Sequence, residues 1–304
     1  MKSLKLIAGD PELRAILDAK GRADGVPVPT NANAIPVRRI LSLAETLARG
    51  PLPGATVLDL ACQEGCYAIE FALAGAQAVG VEGRDYHVQR ARLCAEKAGV
   101  SGLIRFDVAD IRHVDEKSYG RFDIVLLLGI LYHLDALDAV DTLVRLANLT
   151  NDLLIIDTHI ALSNKSSFEF RGRTYEGTYV REHNDGDSPE QRFARRQASI
   201  DNTFAFYFTR VALTRLLVEV GFPIVVEALA PLDVTKPADR ATFVAFKRPV
   251  RMGCLYPWAA GLSEDEIASA ARPFLPPPPS GNRAKVAHLA NVLLRKFGFM
   301  LTPH

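Results

Sequence analysis

Short apolar runs alternate with amphipathic stretches along the middle of the chain. Runs that are apolar on both faces and are separated by helical stretches are typical of a parallel sheet covered on both sides, so the pattern predicts an α/β fold. The predicted strands are Thr56–Leu60, Ala78–Val81, Ile104–Asp107, Phe122–Leu128 and Leu153–Asp157. The predicted helices between them are Cys66–Ala74, His87–Ala98 and Ala136–Ala147.

The same pattern predicts what precedes and follows these elements. Pro36 suits the first turn of a helix, and the apolar positions after it have helical spacing. Thr209 can cap a later helix that ends at Gly221. Two late strands, Ile224–Leu229 and Thr242–Phe246, are separated by only about a dozen residues. Because this is too few for a crossover helix, we expect the pair to be antiparallel.

We divide the chain into three parts. Residues 1–50 form a helical N-terminal cap, and residues 51–250 form a Rossmann-like core with a seven-stranded, mostly parallel sheet and an antiparallel last strand. Residues 161–205 are a polar insert within that core, and a compact domain seldom carries so long an insert without a function, so we expect a substrate lid. Residues 251–304 form a C-terminal extension with one predicted helix, Arg283–Lys296.

Candidate chemistry begins at the end of the first strand. The segment Val57–Gly65 runs from an apolar strand into a tight loop and then a helix. In a doubly wound sheet, ligands bind beyond the carboxyl ends of the strands. Small residues such as Ala61 let the backbone approach a ligand, and the N–H groups of the next helix suit an anion. Glu82 ends the second strand, where a carboxylate can accept hydrogen bonds from both hydroxyls of an adenosine ribose.

Three further positions extend this candidate site. Asp110 follows the third strand and can accept from an adenine amino group, and its neighbour Ile111 can pack on the ring. Gly129 follows the fourth strand and leaves room beside a cofactor. Each acid taken alone is also compatible with a capping or solvated role, but their order favours a site. A nicotinamide enzyme would need Gly-x-Gly-x-x-Gly, which residues 61–66 do not supply.

In this order, the features resemble the class I S-adenosylmethionine-dependent methyltransferases over about Val57–Phe246. Residues 60–67 and 129–134 more narrowly resemble a branch that includes tRNA wobble-uridine modifying enzymes and uncharacterised bacterial methyltransferases. The resemblance implies S-adenosylmethionine as cofactor and S-adenosylhomocysteine as product. The implied cofactor-binding residues are Asp59, Ala61 and Gly65 for the methionine part, Glu82 and Gly83 for the ribose, Asp110 and Ile111 for the adenine, and Gly129 beside them. In the loop, Ala61 and Gln63 replace two family glycines, and Gln63 has less conformational freedom than glycine.

Three residues are candidates for the chemical step. A sulfonium methyl group is already activated, so the protein has mainly to position the acceptor in line, and this can supply about 7–11 kcal/mol. A hydroxyl or protonated amine also needs a base. His133, after the fourth strand, is the first candidate, and Tyr132 beside it can orient the substrate. His159, just past the fifth strand, is the second. Structural roles near helix starts and in packing remain alternatives.

The insert is expected to shape the acceptor pocket. Arginine forks match carboxylates and phosphates, so an anionic group on the acceptor is one expectation. Acids alternate with these arginines, which leaves open a solvated loop with internal ion pairs. The candidate substrate-binding residues are Arg173, Tyr175, Tyr179, Arg181, Asn202 and Tyr207.

The charge of the chain makes a nucleic-acid acceptor less favoured without excluding it. The chain has 36 basic and 35 acidic side chains, a formal net charge of +1. A nucleic-acid binder usually has a basic excess, because phosphate contacts supply most of its affinity. We therefore expect methylation of an oxygen or nitrogen of a small metabolite. A tRNA wobble-uridine methyltransferase or carboxymethyltransferase, and a catalytically silent cofactor-binding module, stay open as alternatives.

Location and partners are only bounded. The longest apolar stretch is far below the roughly 18 residues of a membrane span, and the N-terminus has no secretory pattern, so we expect a cytoplasmic enzyme without membrane contact. The four cysteines have no zinc-site spacing, and we expect no metal. Pairing with a second copy stays open.

Overall fold

The computed structural model describes residues 34–195, 197–228, 237 and 239–249. The predictions for residues 1–33 and 251–304, including the helix Arg283–Lys296, lie outside the described residues.

The described residues contain ten strands and seven α-helices. The strands are β1 Thr56–Leu60, β2 Gln77–Glu82, β3 Ile104–Val108, β4 Phe122–Leu128, β5 Thr150–His159, β6 Ser166–Phe170, β7 Arg173–Arg181, β8 Phe204–Phe208, β9 Ile224–Glu227 and β10 Arg240–Phe246. The helices are α1 Ala34–Leu47, α2 Cys66–Leu73, α3 Asp85–Lys97, α4 Glu116–Tyr119, α5 Ala136–Leu149, α6 Pro189–Ala194 and α7 Arg210–Glu219. Short 3-10 turns cover Ile111–His113 and Leu131–His133.

A seven-stranded sheet lies at the centre, in the order β3-β2-β1-β4-β5-β10-β9. The pairs from β3 to β5 are parallel, whereas β10 runs antiparallel to both β5 and β9. The predicted fold class, a mostly parallel Rossmann-like sheet with an antiparallel late strand, is confirmed. Because β1, β2, β4 and β5 are parallel, their carboxyl ends lie at the same edge of the sheet, which is where a ligand is expected.

Both faces of the sheet are covered, as the apolar runs predict. In β4, Ile124 and Leu126 pack in the layer that contains α2 and α3, while Val125 and Leu127 pack in the layer of α5 and α7. All four side chains are fully buried. Alternate side chains of the strand therefore pack in two separate apolar layers. This explains why apolar and polar residues do not alternate along it.

The insert is an ordered three-stranded antiparallel sheet, β6-β7-β8, with the short helix α6 between β7 and β8. The sequence pattern did not predict these strands. Aromatic side chains on one face of this sheet pack on each other: Phe168, Tyr175, Tyr179, Phe206 and Phe208. All of them except the exposed Tyr179 also pack on the central core. Burial of this face fixes the insert against the core.

None of the helices that the structure describes is both long enough and apolar enough to cross a lipid bilayer. Within the same residues, no group of three or more His, Cys, Asp and Glu side chains is arranged to hold a metal ion.

Candidate cofactor and acceptor site

Glu82 is a buried carboxylate at the end of β2 with capacity for further donors. It is 4% exposed. Its Oε2 accepts from the Gln63 N–H at 3.1 Å, and its Oε1 accepts from the Arg84 N–H at 3.0 Å. An ionised carboxylate has about four acceptor directions, so each oxygen can take one more donor. Two adjacent free acceptor positions fit the pair of ribose hydroxyls that the resemblance implies.

Asp59 ties the end of β1 to the start of α2. Its Oδ2 accepts from the Ala68 N–H at 3.2 Å, and the residue is 1% exposed. Burial raises the pKa of Asp59 to about 7, although the Ala68 N–H opposes this rise, and the nearby Glu82 charge adds to it. A buried acid of this kind gains from a cationic neighbour, and the ammonium group of a bound methionine part would be one.

We expect Asp59→Asn to gain stability over the wild type as pH rises. In an unfolded chain an aspartate titrates near 3.9, and in the fold the pKa of Asp59 is about 7. The folded state therefore holds the proton more tightly, and stability falls between about pH 4 and 7 before levelling off. Between pH 5 and 7 the relative gain of the variant should be about 2 kcal/mol. Urea unfolding at pH 5, 6, 7 and 8 measures it, and parallel pH dependences would contradict the prediction.

The loop between Asp59 and α2 needs left-handed backbone conformations at three positions. Ala61, Gln63 and Gly65 have φ values of 56°, 48° and 77°. At position 65 a Cβ would lie 2.6 Å from Cζ of Phe106, so this position requires glycine for steric reasons. Ala61 and Gln63 adopt the conformation at a cost of roughly 1–2 kcal/mol each. This conformation brings the Gln63 N–H to Glu82.

The predicted adenine end of the site is held by an arginine. Asp110 caps the turn Ile111–His113, with Oδ1 accepting from the Arg112 N–H at 2.9 Å. The Arg112 side chain also lies 2.6 Å from Oδ2 of Asp110. Burial alone would raise the pKa of Asp110, but these contacts with Arg112 hold it below its ordinary value. Ile111 is buried beside it, so the two predicted adenine residues lie together.

Gly83 and Gly129 follow the ends of β2 and β4, where a Cβ on either residue would crowd a neighbouring side chain. Gly129 has φ 80°, and a Cβ there would lie 3.2 Å from an Arg240 nitrogen. Buried Glu82 with free acceptor capacity, buried Asp59 and these glycines together fit S-adenosylmethionine. The structure thus places all the predicted cofactor residues along the carboxyl edge of β1–β4.

The acceptor side is an aromatic and imidazole cluster centred on Tyr132. Its ring centroid lies 4.3 Å from that of His133, 4.6 Å from that of His159 and 5.9 Å from that of Tyr207. Arg240 donates to the Tyr132 hydroxyl at 3.1 Å. The cluster joins the ends of β4 and β5 to the insert strand β8. The three predicted catalytic residues are therefore brought together.

Both histidines place Nδ1 against a carboxylate. Nδ1 of His133 lies 2.9 Å from Oε2 of Glu182, and Nδ1 of His159 lies 2.9 Å from Oδ2 of Asp239. A carboxylate only accepts hydrogen bonds, so Nδ1 carries a proton in each ring, and in the neutral ring Nε2 then has a lone pair. Either Nε2 can take a proton from the molecule that receives the methyl group. Glu182 and Asp239 were missed in the sequence because they lie 49 and 80 residues from their partners.

The charge around the histidines is predominantly negative. Arg240 is paired with Asp157 at 2.6 Å. Among the contacts that the structure describes, Glu182 and Asp239 have no cationic partner other than the two histidines. Burial, together with the charges of Glu182 and Asp239, raises the pKa of Tyr207 to about 12. An anion placed here would meet two carboxylates at short range.

Two of the predicted substrate-binding residues reach this cluster. The Asn202 amide donates to the backbone oxygen of His133 at 3.0 Å. Tyr207 stacks with His159 at a centroid distance of 5.8 Å. Asn202 also donates to the Phe204 oxygen at 2.8 Å, so its amide fastens the end of the insert.

The structure leaves the other four on the opposite face of the insert sheet. In the β7–β8 register, Thr178 pairs with Tyr207 and Tyr179 pairs with Phe206. Alternate residues of a strand point to opposite faces, so the odd-numbered positions of β7 point away from Tyr207. Their observed partners are Glu219 for Arg173 and Tyr175, Phe206 for Tyr179, and Asp185 and Phe204 for Arg181.

Comparison with solved structures shows the same fold. The N-terminal domain of EvdMO1, crystallised in the presence of SAH and D-fucose, is 24% identical, with a TM-score of 0.54. The match covers 71% of this chain and 83% of that one. Magnesium protoporphyrin IX methyltransferase (ChlM) from Synechocystis PCC 6803 with bound SAH is 19% identical, with a TM-score of 0.50, over 72% of this chain and 84% of that one.

Curated relatives match a shorter stretch. The 23S rRNA (uracil(1939)-C(5))-methyltransferase RlmD of Nitrosospira multiformis is 37% identical over 98 residues, which are 31% of this chain and 21% of that protein. The RlmD of Dechloromonas aromatica is 32% identical over 120 residues, 38% of this chain and 26% of that protein. The match thus spans about a quarter of the length of these relatives.

A family model adds the decisive match. Residues 52–183, from just before β1 to the end of β7, match a model described as a methyltransferase domain. This range contains the loop after β1, Glu82, the turn at Asp110 and the two candidate residues Tyr132 and His133. Residues 52–183 therefore match a methyltransferase domain, in agreement with the class I S-adenosylmethionine-dependent methyltransferase that the sequence predicts.

Proposed function

We propose that this chain transfers a methyl group to an oxygen or nitrogen of a small molecule, with His133 as general base. The observation that carries the proposal is the contact between Nδ1 of His133 and Glu182, which leaves Nε2 as a hydrogen-bond acceptor. When bound, the cofactor supplies an activated methyl group on a sulfonium. The chain has to hold the acceptor in line and to remove its proton.

Each residue of the cluster has a part in this proposal. His133 Nε2 takes the proton from a hydroxyl or an ammonium group of the acceptor, and Glu182 stabilises the imidazolium that forms. Tyr132 and Tyr207 provide aromatic walls against which the acceptor packs. His159, held by Asp239, is the alternative base.

The charge of the cluster favours an uncharged or cationic acceptor. An anionic acceptor was one expectation from the arginines of the insert, but Arg173 and Arg181 are paired with Glu219 and Asp185. The two carboxylates behind the histidines would repel an anion. An alcohol or an amine therefore suits the cluster better than a phosphate or a carboxylate.

RNA is the second candidate acceptor. It is favoured by the similarity to the 23S rRNA methyltransferases over about a third of this chain. The near-balanced charge of the chain argues against it, because an RNA site depends on phosphate contacts.

Methyl transfer from labelled S-adenosylmethionine to cell extract, followed by separation into metabolites, RNA and protein, tests the proposal. We expect the label in the metabolite fraction, and its amount should not change after ribonuclease treatment. Label in RNA would support the second candidate. If calorimetry shows S-adenosylhomocysteine binding but every fraction stays unlabelled, the chain is a silent cofactor-binding module and the proposal fails.

A further inference from the structure

The last residues of the insert lie against the candidate cofactor site. Residues 197–202, here called the cover segment, precede β8. A Cβ on Gly83 would lie 2.5 Å from Cδ1 of Ile200. Glycine at position 83 therefore admits the Ile200 side chain against the backbone that directly follows Glu82. This contact puts the cover segment at the carboxyl end of β2.

Arg84 fastens the cover segment to that strand end. Its Nη2 donates to the oxygen of Ala198 at 3.2 Å and to that of Arg195 at 2.9 Å. Its Nε donates to the Phe193 oxygen at 3.1 Å. The N–H of the same Arg84 is one of the two donors that hold Glu82. Arg84 therefore has two roles: its side chain binds the cover segment, and its backbone N–H orients Glu82, the residue predicted to bind the ribose.

A second fastening lies at the predicted adenine end. Arg112, which holds Asp110, also contacts Oδ2 of Asp201 at 2.7 Å through Nη2 and Oδ2 of Asp138 at 3.1 Å through Nη1. The cover segment is therefore joined to the β2 end through Arg84 and to the β3 end through Arg112.

Glu182 links the cover segment to the acceptor side. A single oxygen, Oε2, accepts from Nδ1 of His133 at 2.9 Å and from the Ser199 N–H at 2.8 Å. The Glu182 side chain is 7% exposed, and Ser199 is buried. The neighbouring His183 places its Nε2 2.9 Å from the Ser199 oxygen, so both backbone groups of Ser199 are held. A buried N–H without an acceptor is costly, so Glu182 and Ser199 hold each other in place.

We propose that the cover segment forms one wall of the cofactor site and that Glu182 is a positioning residue, which orients His133 when this wall is closed. The inference rests on the proposed function, because it assigns His133 to the acceptor. Coupling between two sites is reciprocal, so a cofactor that packs on Ile200 and closes the wall also favours the Nδ1–H tautomer of His133. The closed wall and the Nδ1–H tautomer of His133, which leaves Nε2 as the base, therefore favour each other.

Glu182→Met tests the coupling, because methionine has a similar length but no acceptor oxygen. We expect it to bind S-adenosylhomocysteine roughly fivefold more weakly, which corresponds to the loss of one hydrogen bond. Trypsin should cut faster after Arg195, and the ligand should protect the wild type more than the variant. Long-range ¹H–¹⁵N spectra should show that the ring of His133 loses its single tautomer. Glu182→Gln keeps an acceptor oxygen and should recover most of the affinity.

Asp239→Leu is the matched control, since it removes the equivalent carboxylate from His159, and Asp239 has no bond to the cover segment in the described structure. It should change the tautomer of His159 alone and leave both ligand affinity and cleavage at the wild-type level. The inference is overturned if Glu182→Met binds the ligand as the wild type does, or if Asp239→Leu weakens binding equally.

Ile200→Ala provides a second test that does not depend on a buried acid. It removes the contact over Gly83 and should weaken S-adenosylhomocysteine binding several-fold, while the tautomer of His133 in the unliganded protein stays the same. Wild-type affinity in this variant would show that the cover segment is no part of the cofactor site. If the wild type itself does not bind the ligand, the proposed function fails first, and the two failures are thereby distinguished.

Discussion

Glu82→Ala is expected to weaken S-adenosylmethionine binding by roughly 10²–10⁴-fold. The variant loses a buried carboxylate that can accept from two ribose hydroxyls. Hydrogen bonds to charged groups contribute about 1.5–3 kcal/mol each, and every 1.4 kcal/mol is a factor of ten in affinity. The N–H groups of Gln63 and Arg84 also lose their acceptor, so the loop after β1 is less well held. Both effects act in the same direction.

Calorimetry with S-adenosylmethionine and S-adenosylhomocysteine measures this loss. Glu82→Gln, which keeps an acceptor but not the charge, should fall between the wild type and the alanine variant. Asp107→Ala is the matched control: Asp107 lies on the neighbouring strand β3, opposite Val81, and its contact with Arg105 is on the surface. The control should bind normally. Equal binding by the wild type and Glu82→Ala, with normal unfolding temperatures for both, would contradict the assignment of Glu82.

The core of the fold could be predicted because its strands are apolar on both faces. The bounds of β4, Phe122–Leu128, agree residue for residue with the prediction, since every side chain except that of Asp123 packs in an apolar layer. The prediction for β5 was too short at both ends. Its first residues include the polar Asn151 and Asp152, which lie where the β4–β5 register shifts, so the apolar pattern does not extend to them.

The placement of the candidate cofactor residues at one edge of the sheet could also be predicted, because these residues follow successive strand ends in sequence order. The acceptor side could not. Glu182 and Asp239 reach their histidines only through the folding of the insert and of the late strands. The insert was predicted as a loop, in which any side chain could face the pocket. In the structure Arg173 and Arg181 belong to the strand β7, whose side chains alternate between two faces, so only one face can line the pocket.

His133→Asn should lower the rate of methyl transfer by about 10²–10⁴-fold, which is the usual contribution of a general base. The candidate cofactor residues do not include His133, and the asparagine amide can still donate to Glu182, so the affinity for S-adenosylhomocysteine should stay near the wild-type value. Initial rates of label transfer into the metabolite fraction, together with calorimetry, measure the two quantities separately. Loss of a base lowers kcat with little change in KM, whereas loss of an acceptor contact raises KM.

His159→Asn is the comparison that decides which histidine acts. Both rings hold an Nδ1–H against a carboxylate, and both contact Tyr132, so the two substitutions remove similar packing. If His133 is the base, His159→Asn should mainly raise KM. The reverse pattern would assign the base to His159. An acceptor carboxylate needs no proton removed, so normal kcat in both variants would show that the chemistry needs no base and that the histidines only line the pocket.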